Sequence, residues 1–185
     1  TYTVHGITVE DPYDWLYDKS YPTVDDTEVL DHLKAENAYF EAKMEGQKAL
    51  TEALFTEMRA RIKEDDSTVP QKDGDYLYWS EFEEGAQYRK HYRKAVAGGE
   101  PELLIDENKL AEGHEYFRLG AASVSENGRF LAYSTDTNGS ERYTARIKDL
   151  KTGELLLDVI ENLRGDLVWV KGDTALVYGP STEEW

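Results

Sequence analysis

Ser181 stands in "GPSTE", the stretch of this chain nearest to the G-x-S-x-G turn that exposes a nucleophilic serine between a strand and a helix. Two residues on is Glu183 rather than glycine, and no helical pattern follows. Only glycines accept that strained turn, so Ser181 reads as a loop serine. A serine nucleophile also needs a base, and the four histidines, His5, His32, His91 and His114, are scattered. None is set four residues from another with an acid between, which excludes an H-E-x-x-H zinc site. His91 lies among Arg89, Lys90 and Arg93, as on the alternating face of a strand, and reads as a solvated edge rather than a base. "STDTNG", from Ser134 to Gly139, mimics the opening of a calcium loop. It starts on Ser134, however, and places Ala145 at the twelfth position, where a bidentate Glu is required, so it reads as a hairpin turn. The sequon Asn138-Gly139-Ser140 matters only in a secreted eukaryotic protein. "EDDS" and "EFEE" hold paired acids, which read as solvated faces. Without cysteine, a disulfide framework, a thiolate zinc site and a cysteine nucleophile are excluded. No residue is assigned a catalytic, cofactor-binding or metal-binding role, and no cofactor is expected.

The bulk composition narrows the partners. Of 185 residues 38 are acidic and 21 basic, a formal net charge of -17. That repels nucleic acid and anionic membrane surfaces. It is compatible with cationic ligands such as basic peptides, but plain solubility is the preferred account of it. Hydrophobic residues make up 39% and aromatics 12%, too rich for a disordered polypeptide. No apolar run approaches the roughly 18 residues of a membrane span. No basic-then-apolar signal peptide is present, and the chain starts at Thr1 rather than Met, as in a processed or trimmed polypeptide. A cytoplasmic protein is expected, with the periplasm as the other possibility.

Two regimes meet near residues 64 to 70. From Thr27 to Met44 the residues Leu30, Leu33, Phe40 and Met44 fall near one stripe at helical spacing, with Asp26 or Thr27 as N-cap. Gly46 breaks the pattern, and a second helix over about Gln47 to Ile62 carries Leu50, Leu54, Met58 and Ile62 four residues apart. The expectation is an amphipathic helical pair. Beyond Val69 come short runs rich in β-branched and aromatic residues: Asp75–Phe82, Gln87–Val96, Glu102–Asp106, Glu115–Val124, Arg129–Asp136, Arg142–Leu150, Glu154–Ile160, Leu167–Val170 and Thr174–Gly179. Turn pairs such as Asp73-Gly74, Asn127-Gly128 and Thr152-Gly153 separate many of them. That is an antiparallel meander. "KDGDYLYWS", "ENGRFLAYS" and "KGDTALVYG" repeat a glycine turn before a strand ending in an aromatic, with turn glycines Gly74, Gly128 and Gly172 spaced 54 and 44 residues apart. Such spacings suit propeller blades of about four strands, and a β-sandwich fits the strand spacing equally well.

The opening stretch "HGITVEDPYDWLYD", from His5 to Asp18, crowds Ile7, Tyr13, Trp15, Leu16 and Tyr17 among acids. Chain ends are frayed and polar unless tied down, so this cluster needs a body to pack on. Tyr13, Trp15 and Leu16 read as anchors for an interface.

Together, "HGITVEDPYDWL", "VLDHLKAENAYFEA" and the run from "LLIDENKLAEGHEYFRLGAASVSENGRF" to "DLKTGELL" resemble the prolyl oligopeptidase family of serine peptidases, in family order over nearly the whole chain. "LLIDENKLA" and the later "DLVWVKGDTALVY" are most similar to the oligopeptidase B, or protease II, branch. The resemblance implies a mainly β fold with an N-terminal helical segment. Residues 1–68 would form that segment and pack on an α/β-hydrolase domain, and residues 69–185 the first two to three blades of a seven-bladed β-propeller. It implies an enzyme whose Ser–Asp–His triad sits in the C-terminal hydrolase domain of the same polypeptide, absent from these residues. The propeller would gate access by size, and the branch cleaves short peptides after Arg or Lys. No family catalytic residue maps onto this chain, and the specificity carboxylates are not assigned to Glu81, Glu83 or Glu84. The 185-residue chain by itself is expected to be inactive and to self-associate through an open strand edge. The competing reading is a free-standing β-rich binding module without catalytic activity.

Overall fold

The computed structural model describes residues 1–20 and 23–181. The chain divides into two compact units, Thr1–Ile62 and Lys63–Trp185.

The first unit opens with a hairpin of β1 (Tyr2–Val4) and β2 (Ile7–Val9), paired Tyr2 to Val9 and Val4 to Ile7. Its two-residue turn, His5-Gly6, has φ of 51° and 78°, the left-handed pair whose twist matches that of the strands. A single 3-10 turn over Asp14–Leu16 follows, and the Trp15 ring meets His32 edge-on at 5.0 Å. The buried Asp18 carboxylate accepts the backbone N–H of Ser20 at 2.8 Å and of Asp26 at 2.9 Å, and also the Ser20 hydroxyl. The Ser20 hydroxyl and then the Asp26 N–H hold its carboxyl below the usual carboxylate range. Asp26 in turn caps α1 (Thr27–Met44), accepting the N–H of Glu28 at 2.9 Å.

The two expected helices are present, and the interruption at Gly46 is slight, without a reversal of the chain. Residues Glu45–Gln47 form one 3-10 turn and α2 (Lys48–Ala60) continues directly from it. A glycine ends a helix when it turns left-handed and caps the last carbonyls; otherwise it costs only about 1 kcal/mol relative to alanine. Gly46 is not among the left-handed glycines, and Glu45 is still helical at φ −51°, ψ −46°. The helices run on end to end, and no antiparallel pair forms. Neither therefore covers the other's apolar side: Phe40, Leu50, Leu54, Phe55 and Met58 are all exposed, and Val29 is the buried hydrophobic residue among those described in this unit.

The second unit is two antiparallel sheets. The first, in chain order, holds β3 (Gln71–Asp73), β4 (Tyr76–Glu81), β5 (Lys90–Ala95) and β6 (Glu102–Asp106). A short helix α3 (Glu107–Ala111), capped by the Asp106 carboxylate on the N–H groups of Asn108 and Lys109, leads on. The second sheet holds β7 (Arg118–Val124), β8 (Phe130–Asp136), β9 (Tyr143–Asp149), β10 (Leu155–Trp169) and β11 (Leu176–Pro180), again in chain order. β3 escaped the sequence reading because Gln71–Asp73 is polar and exposed throughout, with no alternation to detect. The two runs at Glu154–Ile160 and Leu167–Val170 prove to be one strand, β10. Asn162 at φ 58° and Gly165 at φ 105° are bulges inside it rather than a turn between strands, and the register shifts there.

The first half of β10 pairs with β9 and the second half with β11. Bulges steepen the twist, so the sheet curls until the end of β10 approaches β7. The Trp169 indole N–H donates to the Ser123 carbonyl at 2.9 Å, and the Asp173 carboxylate accepts the N–H groups of Glu126 and Asn127 at 2.6 and 2.8 Å. Inside the curl lies a core of Ala132, Tyr143, Ala145, Leu163 and Leu167. A second core, Leu104, Ile105, Leu131 and Tyr133, joins the two sheets. Because successive residues of a strand face opposite ways, β8 supplies Leu131 and Tyr133 to one core and Ala132 to the other.

Of "STDTNG", Ser134–Asp136 end β8 and Thr137–Gly139 open the hairpin loop, whose organiser is Asp136. This fully buried carboxylate accepts the N–H groups of Asn138, Gly139 and Glu141 at 3.0, 3.0 and 2.9 Å. Asp136→Ala would leave three loop donors without their acceptor. We expect a loss of about 2–3 kcal/mol in urea unfolding, taking 1–3 kcal/mol for each stranded donor and allowing water to reach most of this loop. An unchanged midpoint would contradict the assignment.

Candidate functional site

The joint between the two sheets is organised by Arg93 on β5. Its neighbours in sequence suggest a solvated edge, yet β5 lies between β4 and β6, and Arg93 is 5% exposed. Its guanidinium donates from Nε to the Glu102 carboxylate at 2.7 Å and from Nη1 to the Gly128 carbonyl of the second sheet at 2.6 Å. It also lies 4.4 Å over the Tyr76 ring. Burial opposes the charge on Arg93, and the Glu102 hydrogen bond and charge outweigh it, so its pKa stands above the ordinary arginine value. On the same strand His91 is tied through Nε2 to Glu107 Oε1 at 2.6 Å, which corrects the reading of it as a solvated edge. Lys148 Nζ reaches the Leu104 carbonyl at 3.2 Å, a second polar tie across the joint.

Two concave surfaces flank this joint. A cleft of about 620 Å³ runs between the sheets, with walls that include Trp79, Tyr92, Leu104, Ser123, Val124 and Leu131. Trp79 and Tyr92 stack at 5.6 Å, and burial pushes the Tyr92 and Tyr78 hydroxyls above the ordinary tyrosine pKa. The second surface is a cup of about 540 Å³ on the five-stranded sheet, more polar in its walls.

Acyl transfer needs a hydroxyl within hydrogen-bond reach of a base. The four histidines sit apart: His5 in the opening turn, His32 on α1 against Trp15, His91 on β5 against Glu107, and His114 in the loop after α3. Among the described residues none is hydrogen-bonded to a serine or threonine hydroxyl. The buried Ser134 hydroxyl instead donates to the Gly165 carbonyl at 2.6 Å and accepts the Ala121 N–H at 2.9 Å. Ser181 follows β11, its N–H donating to the Asn162 carbonyl at 2.7 Å; Glu183 lies outside the described residues. Among the described residues no three His, Asp or Glu side chains gather as a metal site, and no helix is long and apolar enough to cross a membrane. Arg93 and the cup were missed from sequence because burial on β5 and adjacency of β8, β9 and β10 are set by pairing, which strand composition does not specify.

Two meandering sheets of four and five strands, joined face to face through β8, are the opening blades of a β-propeller. Residues 1–184 match the family described as the prolyl oligopeptidase N-terminal β-propeller domain, and the chain belongs to that family. It is 38% identical over 94% of its length to dipeptidyl aminopeptidase BI of Pseudoxanthomonas mexicana, and 32% identical over 95% to protease 2 of Moraxella lacunata. In each case it spans 26% of the relative. The structure of oligopeptidase B from Leishmania major superposes with a TM-score of 0.84 at 28% identity, over 92% of this chain and 24% of that one.

Proposed function

We propose that this chain is the substrate-gating part of a serine oligopeptidase that cleaves short peptides after Arg or Lys. The observation that carries the reading is the superposition of 92% of this chain on oligopeptidase B, at a TM-score of 0.84. On this reading residues 69–185 form the first blades of a propeller that admits short peptides. Residues 1–68 are an arm whose exposed apolar side chains, with Tyr13, Trp15 and Leu16 as anchors, dock on an α/β-hydrolase domain of the same polypeptide. That domain supplies the Ser–Asp–His triad, and we place the enzyme in the cytoplasm. The net charge of -17 supports cationic substrates by raising their local concentration. The 38% identity to dipeptidyl aminopeptidase BI favours a second reading, release of dipeptides from a free N-terminus.

The test uses the full-length gene product with arginyl amides whose N-terminus is free or blocked, and with arginine-containing peptides of increasing length. Cleavage of the blocked arginyl amide, lost above a threshold length, is the expected result. Cleavage confined to free N-termini, two residues at a time, would replace the first reading by the second, and no turnover of either would overturn both. The 185-residue chain expressed alone is expected to show no turnover and to sediment as an oligomer, because Leu157, Val168 and Val177 on β10 and β11 are exposed beside an unpaired strand edge.

A further inference from the structure

The cup on the five-stranded sheet inverts the charge of the rest of the chain. Alternate residues of three neighbouring strands make its floor: Tyr133 and Thr135 from β8, Thr144 and Arg146 from β9, Val159 and Glu161 from β10. The register places Arg146 directly between Tyr133 and Val159, with Thr135 opposite Thr144. Arg146 is thus held at the centre of the floor by a paired strand on each side. His114 and Phe117 form a wall, and Phe117 is itself fixed edge-on against Tyr88 at 5.3 Å. Arg142 stands at the rim. The ionisable lining is therefore two guanidiniums and an imidazole against one carboxylate, in a chain whose acids outnumber its bases 38 to 21.

Four other cations of this unit are matched to acids: Lys90 to Glu83, Arg93 to Glu102, Arg118 to Glu141 and Arg129 to Asp149. Among the described residues no carboxylate pairs with Arg146, although Glu161 shares its cup. The field of Arg146 reaches the floor, since it works against the upward push that burial gives the Tyr133 hydroxyl. The cup opens on the face that already meets the four-stranded sheet through Tyr133, and the face of Ala132, Tyr143 and Ala145 is the opposite one.

We propose that this cup is a carboxylate-binding site, in which the Arg146 guanidinium takes both oxygens of a peptide's C-terminal carboxylate while the hydroxyls of Thr135 and Thr144 surround it. A guanidinium presents two parallel N–H groups at the spacing of carboxylate oxygens, a match an ammonium lacks. That the carboxylate belongs to a peptide rests on the function proposed above; the preference for a planar anion does not. Such a site would hold the acidic end of a peptide on the propeller while a basic residue is presented elsewhere.

The test is calorimetric binding to the full-length gene product, with acetyl-dialanine as free acid and as C-terminal amide. Neither probe contains Arg or Lys, so the measurement is independent of turnover and fails separately from the peptidase reading. The acid is expected to bind about tenfold more tightly than the amide at low salt, a preference that shrinks as sodium chloride is added. Arg146→Gln abolishes the preference, and Arg146→Lys keeps only part of it. Arg146 is exposed, so these variants should fold, which circular dichroism checks; the salt dependence needs no variant at all. Equal binding of acid and amide, or an unchanged preference in Arg146→Gln, would overturn the proposal. Binding of inorganic phosphate without the acid would also overturn it, by assigning the cup to a free phosphate.

Discussion

Replacing Gly120 by valine is expected to destabilise the five-stranded sheet by about 3 kcal/mol, at the upper end of the usual cost of overpacking a core. Gly120 lies in β7 and is not left-handed, so backbone freedom is not why glycine stands there. Space is. A Cβ at this position would lie 2.6 Å from Ser134 Oγ, 2.6 Å from Tyr143 Cδ1 and 2.7 Å from Tyr143 Cε1. Ser134 cannot give way without breaking its bonds to the Gly165 carbonyl and the Ala121 N–H. Tyr143 cannot slide away either, because on its other edge a Cβ at Gly165 would already be 3.3 Å from Cδ2. The ring is gripped between two glycines, one from β7 and one from β10. Gly120→Ala introduces the same contact with fewer atoms and should cost less than valine. Urea unfolding followed by tryptophan fluorescence checks both, and a Gly120→Val midpoint equal to that of the unaltered protein would refute the argument.

Arg93→Met should cost about 2–3 kcal/mol. Methionine keeps the length and apolar stem of the side chain but no donors. It leaves the half-buried Gly128 carbonyl without its partner across the joint, at about 1–2 kcal/mol, and removes the stacked cation over Tyr76, at about 0.5–1 kcal/mol. Glu102 matters less, because its side chain is 40% exposed and regains water when the pair is broken. Glu102→Gln is therefore expected to cost under about 1 kcal/mol. Equal losses from both substitutions would place the energy in the ion pair rather than in the bond between sheets.

Much of the fold could be read from the chain. Asp26 as a cap, β6 at Glu102–Asp106 and the hairpins at Gly74 and Gly128 follow from local chemistry: a carboxylate beside free N–H groups, alternating side chains, and glycines at positive φ. Gly46 and the bulge at Asn162–Gly165 misled because the same residue types serve two structures. Whether a glycine ends a helix or passes through it, or bends a strand or ends it, depends on hydrogen-bond partners far away in sequence. Arg93 defeated composition for the same reason: among Arg89, Lys90 and His91 only strand pairing decides which cation is buried. The cup was closed to sequence reading more completely. Thr135, Thr144 and Arg146 look like the polar half of ordinary amphipathic strands until β8, β9 and β10 are set side by side.

β10 also has a mechanical meaning. A loop between two pairs of strands lets one swing relative to the other. Here the backbone hydrogen-bonded to β9 continues as the backbone hydrogen-bonded to β11, with the Trp169 and Asp173 ties bracing its far end against the β7 side. Torque applied at β11 therefore passes along a single covalent strand into β9 and through its ladder into β8. The ladders thus couple the five strands mechanically, whereas the two sheets are coupled through side chains, the Arg93 and Lys148 bonds and the shared core.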